Sequence, residues 1–127
     1  MPIIDTERVS EEAYRRLVLD DASRQWELHQ GQLREKPGVS VEHGHILDQL
    51  LAMLYAQLDR RVYRLRANHA CLRRSADSYY VPDVAVIRAA TEDAMRDRPT
   101  DLDVYAESLP LVVEIWSPST GGYDVKL

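Results

Sequence analysis

The sequence predicts a mixed α/β (α+β) domain, and three features of its pattern carry that prediction. Apolar side chains recur at helical spacing over residues 42–58, apolar and polar side chains alternate around Gln30-Gly31, and near-continuous apolar runs cover residues 79–87 and 109–116. A chain of 127 residues is in the size range of one compact core. We therefore expect a single domain over residues 1–127, with helices packed on a sheet.

Two segments are predicted to be helices. Ser10 precedes two glutamates and then apolar residues at three-to-four spacing, which is typical of an N-capped helix that ends near Asp20-Asp21. The strongest periodic signal is the apolar stripe of residues 42–58, which we expect to cover a sheet. Its members are Ile46, Leu47, Leu50, Leu51, Leu54 and Leu58. The acidic connection over residues 91–107 is expected to be solvated, with a helical turn near residues 92–95.

The strands are expected to form a hairpin and three further segments. Trp26, Leu28 and Leu33 surround Gln30-Gly31, which predicts two short strands joined by a tight turn. Residues 62–72 alternate between apolar and arginine side chains, as one strand with an apolar and a basic face would. The runs 79–87 and 109–116 resemble strands that are covered on both faces.

Composition and charge limit the classes of function. Hydrophobic residues make up 45% of the chain and the net charge is −5, which indicates a globular protein and counts against a simple nucleic-acid-binding module. Six arginines nevertheless lie between Arg60 and Arg74 with no acidic residue among them. No apolar run suggests a membrane span or a signal peptide, so the expected location is the cytoplasm. Cys71 is the single cysteine and is expected to be a buried structural thiol.

Each of the two apolar strand runs is interrupted by one carboxylate. Pro82 precedes Asp83 and removes a ladder hydrogen bond, so the aspartate is expected at a local distortion of its strand. Glu114 lies among apolar neighbours, where a buried carboxylate costs several kcal/mol unless it is paired or bound to a cation. A shared divalent cation such as Mg²⁺, which prefers oxygen ligands, would stabilise both groups.

Several blocks of the sequence resemble the Uma-two family of endonucleases, in the PD-(D/E)XK superfamily with its restriction-endonuclease-like fold. The matching blocks are WELHQGQL at residues 26–33, HGHI at 43–46, VPDV at 81–84, LPLVVEIWSPST at 109–120 and Tyr123-Asp124. The resemblance implies a central mixed β-sheet flanked by helices, with Mg²⁺ or Mn²⁺ held by Asp83 and Glu114. The activity that it implies is hydrolysis of DNA phosphodiester bonds.

Two departures from the superfamily pattern concern the C-terminal end. Trp116 stands where the signature places a lysine, which leaves Lys126 as the candidate catalytic lysine that orients or deprotonates the attacking water. The sequence stops at Leu127, before the helix and strand that the resemblance implies. We therefore expect a C-terminally truncated domain, and an exposed sheet edge that would favour a homodimer.

Further candidates each have two interpretations. Glu27 is a candidate extra metal ligand, although its alternation with Trp26 and Leu28 also fits a solvent-facing residue. His43 is a candidate nucleic-acid contact, whereas His45 is expected at the surface because two-residue spacing places it on another helical face. Arg64 and Arg66 either contact DNA phosphates or form a solvated strand face paired with acidic residues.

The leading interpretation is a Mg²⁺-dependent endonuclease that acts on DNA, with Asp83, Glu114 and Lys126 as its catalytic residues. The alternative is a nuclease-fold protein that has lost activity and serves as a binding or assembly subunit. The acidic net charge and the missing C-terminal elements favour that alternative.

Overall fold

The computed structural model of the protein describes residues 8–21, 23–98 and 102–115. Within these ranges the helices are α1 (Glu11–Asp20), α2 (Val41–Gln57) and α3 (Ala89–Met95). The strands are β1 (Trp26–His29), β2 (Gln32–Glu35), β3 (Tyr63–Ala67), β4 (Cys71–Ser75), β5 (Ser78–Tyr80), β6 (Val84–Arg88), β7 (Val104–Tyr105) and β8 (Leu111–Val113). The mixed α/β class predicted from the sequence is confirmed. None of the described helices has the length and apolar character that a membrane span requires.

The described strands form two sheets, and residues 81–83 are one of the places where the chain passes between them. One sheet has five strands in the order β2-β1-β5-β4-β7, and the other has three in the order β3-β6-β8. The five-stranded sheet is mixed, because β4 and β7 run parallel while its other pairs are antiparallel. Strand β5 belongs to the first sheet and β6 to the second, so the segment between them crosses from sheet to sheet.

Serine side chains cap the two longer helices. The hydroxyl of Ser10 accepts a hydrogen bond from the Ala13 amide, and that of Ser40 accepts one from the His43 amide. These bonds satisfy amides that have no partner inside the helix, which is why both helices start one residue after a serine. Helix α2 buries Leu47 against Val84 and Ile115, but Ile46 of the predicted stripe is 41% exposed, so the stripe is only partly covered by described residues.

The hairpin of β1 and β2 forms as predicted. Gln30 and Gly31 have φ angles of 52° and 82°, the left-handed conformation that a two-residue turn requires when it follows the twist of its strands. In the register of β1 and β2, Leu28 pairs with Leu33 and Trp26 pairs with Glu35.

Two predicted strands are each broken into two. The expectation of one strand over residues 62–72 is wrong, because β3 ends at Ala67 and β4 begins at Cys71 in the other sheet. Asn68 lies between them with φ 65°, a conformation that asparagine tolerates better than most residues. The run 79–87 is likewise divided into β5 and β6 around Pro82, which cannot donate to a ladder. Strand β7 falls within the connection that was expected to be solvated.

The core under α1 combines apolar packing with polar contacts. Tyr14, Leu28, Cys71, Tyr79 and Val81 form one buried cluster. The Tyr14 hydroxyl donates to the Trp26 carbonyl at 2.6 Å, and its ring lies 4.8 Å from the Tyr79 ring. Burial raises the pKa of the Cys71 thiol to about 11. The prediction of a buried structural thiol is therefore confirmed.

Replacement of Leu28 by alanine is expected to destabilise the protein by about 2–5 kcal/mol, because it leaves a cavity in a fully buried cluster. The matched control is Leu19→Ala, since the Leu19 side chain is 57% exposed on α1, and it should change stability by less than about 0.5 kcal/mol. Urea unfolding of both variants measures the difference. Equal losses from the two substitutions would show that β1 does not contribute to the core in this way.

Candidate functional site

The register between β6 and β8 brings the two predicted carboxylates together. These strands are antiparallel and pair Val84 with Val113, so the next residues outward are Asp83 and Glu114. Strand β3 reaches the same point, because the Asn68 amide donates to the Asp83 carbonyl at 3.0 Å. The two acids therefore lie side by side where three strands end.

Asp83 is a buried carboxylate whose two oxygens are both engaged. The residue is 2% exposed, and its Oδ2 accepts a hydrogen bond from the Ile115 amide at 2.7 Å. Its Oδ1 lies 3.2 Å from Nε2 of His43, which is itself buried in the first turn of α2. A carboxylate that is held from two sides has a fixed orientation. A fixed orientation suits a residue that binds a ligand through its charge.

Glu114 is more exposed than the sequence predicts. Its side chain is 34% exposed, so the expectation of a fully buried carboxylate is wrong for this residue. Strand β8 is three residues long and lies at the end of the described three-stranded sheet, and Leu111 and Val112 on it are 40% and 41% exposed. An apolar run does not distinguish a strand covered on both faces from a short strand at a sheet edge.

Lys36 is the site residue that the sequence reasoning missed. Its ammonium donates to the Val81 carbonyl at 2.7 Å and lies 3.5 Å from Asp83 Oδ1. The same nitrogen is 3.4 Å and 3.5 Å from Glu114 Oε1 and Oε2, and the Lys36 side chain is only 7% exposed. Lys36 follows β2 in a loop, 47 positions before Asp83, so neither periodicity nor spacing in the sequence points to it.

Glu27 is buried beside the segment that carries Asp83. The residue is 1% exposed, so the alternative of a solvent-facing glutamate is wrong. Its Oε2 accepts a hydrogen bond from the Val81 amide at 2.6 Å, and its Oε1 lies 2.8 Å from His29 Nε2. Glu27 thus fixes the backbone two residues before Asp83.

Arg64 and Arg66 pair with acidic side chains within the chain. Arg64 Nη1 lies 2.8 Å from Glu92 Oε1, while Arg66 contacts Glu92 and places its Nε 2.9 Å from Asp103 Oδ2. Burial raises the pKa of Glu92, but the hydrogen bond and charges of the arginines outweigh it and hold that pKa below its ordinary value. This is the pairing that the second interpretation of these arginines expected; their contact with DNA stays a prediction.

Glu114 and the paired arginines line two different cavities. A cavity of about 370 Å³ lies beside Glu114 and is lined by Leu72, Arg74, Tyr80, Pro82 and Val112. A second cavity, of about 590 Å³, is lined by Arg60, Arg61, Arg64, Arg66 and Arg96 together with Tyr55, Leu58, Tyr63, Leu65 and Glu92. The two cavities have no lining residue in common, so Arg64 and Arg66 face a different space from Glu114.

The two carboxylates at the site are of the ligand type that a divalent cation such as Mg²⁺ prefers. Asp83 Oδ1 and Glu114 Oε1 lie 3.5 Å and 3.4 Å from the Lys36 ammonium, so both carboxylates face the same positive charge. Among the described residues no three histidine, cysteine or acidic side chains form a metal-binding group. Mg²⁺ needs no such group, because it commonly keeps several waters and binds one or two carboxylates. Trp116 and Lys126 lie outside the described residues, and His45 is exposed as expected.

Substitution of Glu92 by glutamine should flatten the pH dependence of stability in acid. The Glu92 pKa is lowered in the folded protein, so its contribution is present above its ordinary pKa and is lost as the pH falls through the lowered value. Unfolding in urea between about pH 6 and about pH 3 measures this dependence. Asp93→Asn is the matched control, since the Asp93 side chain is 62% exposed. Wild-type-like acid sensitivity in Glu92→Gln would contradict the assignment.

Comparison with known proteins identifies the family of the chain. No curated protein matches the sequence. A crystal structure of a putative nuclease belonging to DUF820 from Anabaena variabilis superposes with a TM-score of 0.69 at 17% sequence identity, which shows a shared fold. The superposition covers 93% of this chain but 64% of that one. The Uma2 family, described as "Putative restriction endonuclease", matches residues 11–127, and the chain therefore belongs to the Uma2 family.

Proposed function

We propose that the protein is a Mg²⁺- or Mn²⁺-dependent endonuclease that hydrolyses DNA phosphodiester bonds, with Asp83 and Glu114 as its metal ligands. The observation that carries the proposal is the placement of these carboxylates side by side at the ends of β6 and β8, around one positive charge. Membership of the Uma2 family supports a nuclease-type activity.

The residues of the chain have separate tasks in this proposal. A divalent cation held there supplies, when bound, a Lewis acid that polarises the phosphoryl group and makes water more acidic. Asp83 is the rigid ligand, because Ile115 and His43 hold its two oxygens. Glu114, which is partly exposed, is the ligand on the side of the solvent and hence of the substrate. Lys126 would assist the attacking water, and this role stays a prediction.

The cavity beside Glu114 is the proposed approach for the substrate. Its volume of about 370 Å³ is sufficient for part of a nucleotide, and Tyr80 and Pro82 give it apolar walls. Arg74 also lines this cavity and is a cation that can neutralise a phosphate next to the cleaved bond. Because the chain carries a net charge of −5, such local cations are needed for attraction to a polyanion.

Two further parts of the proposal rest on the sequence alone. Contact of DNA with His43, Arg64 and Arg66 stays a prediction, as does the formation of a homodimer. In the described structure His43 holds Asp83, so a positioning role for this histidine is supported more directly than a DNA contact.

Asp83→Asn and Glu114→Gln should each lower the rate of plasmid cleavage in Mg²⁺ or Mn²⁺ by more than about a hundredfold. This exceeds the ~10–100-fold loss typical when a partner outside the ligand set is removed. The control is Asp97→Asn, which removes an exposed carboxylate and should retain wild-type cleavage. Thermal unfolding of each variant shows whether it is folded.

The rival function gives a different result in the same assay. If the wild type and Asp83→Asn are equally inert across a range of salt and metal concentrations, the protein is a nuclease-fold subunit without this activity. Equal cleavage by all variants would show instead that the carboxylate pair is not the catalytic centre.

Glu27→Gln separates a ligand from a positioning residue. Both oxygens of Glu27 contact Val81 or His29, which supports a positioning role, although direct ligation stays a prediction. We expect the variant to bind Mn²⁺ about 10–100-fold more weakly, since the segment before Asp83 loses an anchor. Isothermal titration calorimetry measures this loss beside that of Asp83→Asn. A loss as complete as in Asp83→Asn would favour direct ligation.

A further inference from the structure

The position between Asp83 and Glu114 is already taken by a positive group of the chain itself. The Lys36 ammonium contacts the Val81 carbonyl, Asp83 Oδ1 and both Glu114 oxygens. These acceptors come from three places in the chain, namely the start of the sheet crossing, the residue before β6 and the end of β8. One lysine therefore neutralises the oxygens that a divalent metal would use.

The distances show which of these contacts are strong. The bond to the Val81 carbonyl, at 2.7 Å, is short, whereas the contacts to the carboxylates are 3.4–3.5 Å. Charge-assisted N–H···O bonds are normally about 2.7–2.9 Å long, so the carboxylate contacts are the weaker ones. They can be released while the bond to Val81 remains.

The backbone of Lys36 is held by the β1–β2 hairpin. The Lys36 amide donates to the Gln25 carbonyl at 2.9 Å, which continues the pairing of the β1–β2 hairpin by one residue. Displacement of the ammonium therefore requires rotation about side-chain bonds and no rearrangement of the sheet.

A divalent metal and the ammonium compete for the same oxygens. Mg²⁺ binds carboxylate oxygens at about 2.0–2.1 Å, much closer than the ammonium lies, and the two positive centres repel each other. If the site can bind metal only while the ammonium is away, its apparent metal affinity is the intrinsic affinity multiplied by the fraction of molecules in that state.

We propose that Lys36 is a built-in competitor of the metal: its ammonium bridges Asp83 and Glu114 until a divalent cation displaces it. Without metal, the lysine thereby reduces the repulsion between two neighbouring carboxylates. It also raises the metal concentration that is needed to occupy the site. The proposal rests on the metal site proposed above and adds a regulatory role for this lysine. Its role is to set metal affinity, not to touch the substrate.

Binding of Mn²⁺ to the whole chain, without DNA, tests the proposal directly. Titration calorimetry, with electron paramagnetic resonance of free Mn²⁺ as a second readout, compares the wild type, Lys36→Met and Asp83→Asn. Lys36→Met keeps an unbranched side chain that is one atom shorter, and it removes the charge. We expect it to bind Mn²⁺ at least about tenfold more tightly than the wild type. The double variant Lys36→Met/Asp83→Asn should lose this gain.

Arg61→Met is the control for a general change of charge. It also removes one positive charge, but from a side chain that is 90% exposed, and it should bind Mn²⁺ as the wild type does. Thermal unfolding without metal checks that each variant is folded. If Lys36→Met does not fold, Lys36→Gln replaces it, because its amide keeps a hydrogen-bond donor without the charge, and the same gain is expected.

The possible results distinguish this inference from the proposed function. If Lys36→Met binds Mn²⁺ no more tightly than the wild type while Asp83→Asn abolishes binding, the metal site stands and the competing role of Lys36 is overturned. If Arg61→Met gains as much as Lys36→Met, the effect is one of net charge and the inference is again overturned. If neither the wild type nor the Lys36 variant binds Mn²⁺, the inference and the metal site both fail.

Discussion

The hydrogen bond from the Ile115 amide to Asp83 Oδ2 is the interaction on which the arrangement of the site depends. It fixes the end of β8 against the start of β6, and the register of these strands then places Glu114 beside Asp83. A carboxylate that is 2% exposed is costly unless its oxygens are satisfied. The Ile115 amide and the His43 ring meet this requirement. The contacts that allow Asp83 to be buried are therefore the same contacts that position it in the site.

A second buried carboxylate stabilises the other end of the same segment. Pro82 has no amide hydrogen, and the chain leaves one sheet for the other at this point, so neither ladder continues through the segment. Glu27 accepts the Val81 amide and Lys36 donates to the Val81 carbonyl, which satisfies both backbone groups of that residue. The position of Asp83 is therefore determined by side chains from β1, α2 and the loop after β2, in addition to the sheet register.

The sequence predicts the parts of this site that depend on local patterns. Proline before an aspartate in an apolar run predicts the break at Asp83, and serine before a periodic segment predicts where α1 begins. Long-range pairing is not visible in such patterns. Lys36 approaches Asp83 only because the hairpin folds back beside the sheet crossing, and the exposure of Glu114 depends on β8 lying at the end of its described sheet. Arg64 and Arg66 alternate like a basic face, yet Glu92 and Asp103, which are distant in sequence, neutralise them.

The difference in burial between the two carboxylates has a consequence for the lysine. Asp83 cannot turn toward solvent, because its oxygens are held from two sides, whereas Glu114 is 34% exposed and has access to water. In the proposed exchange, a cation from solvent would meet Glu114 first and would reach Asp83 only as the ammonium withdrew. Because the Lys36 side chain is 7% exposed, its charge has little water to replace the contacts that it gives up, and the bond to Val81 becomes its main compensation. In that proposed exchange, the buried position of Lys36 would make its displacement costly, whereas the exposed position of Glu114 would give the arriving cation access to the site.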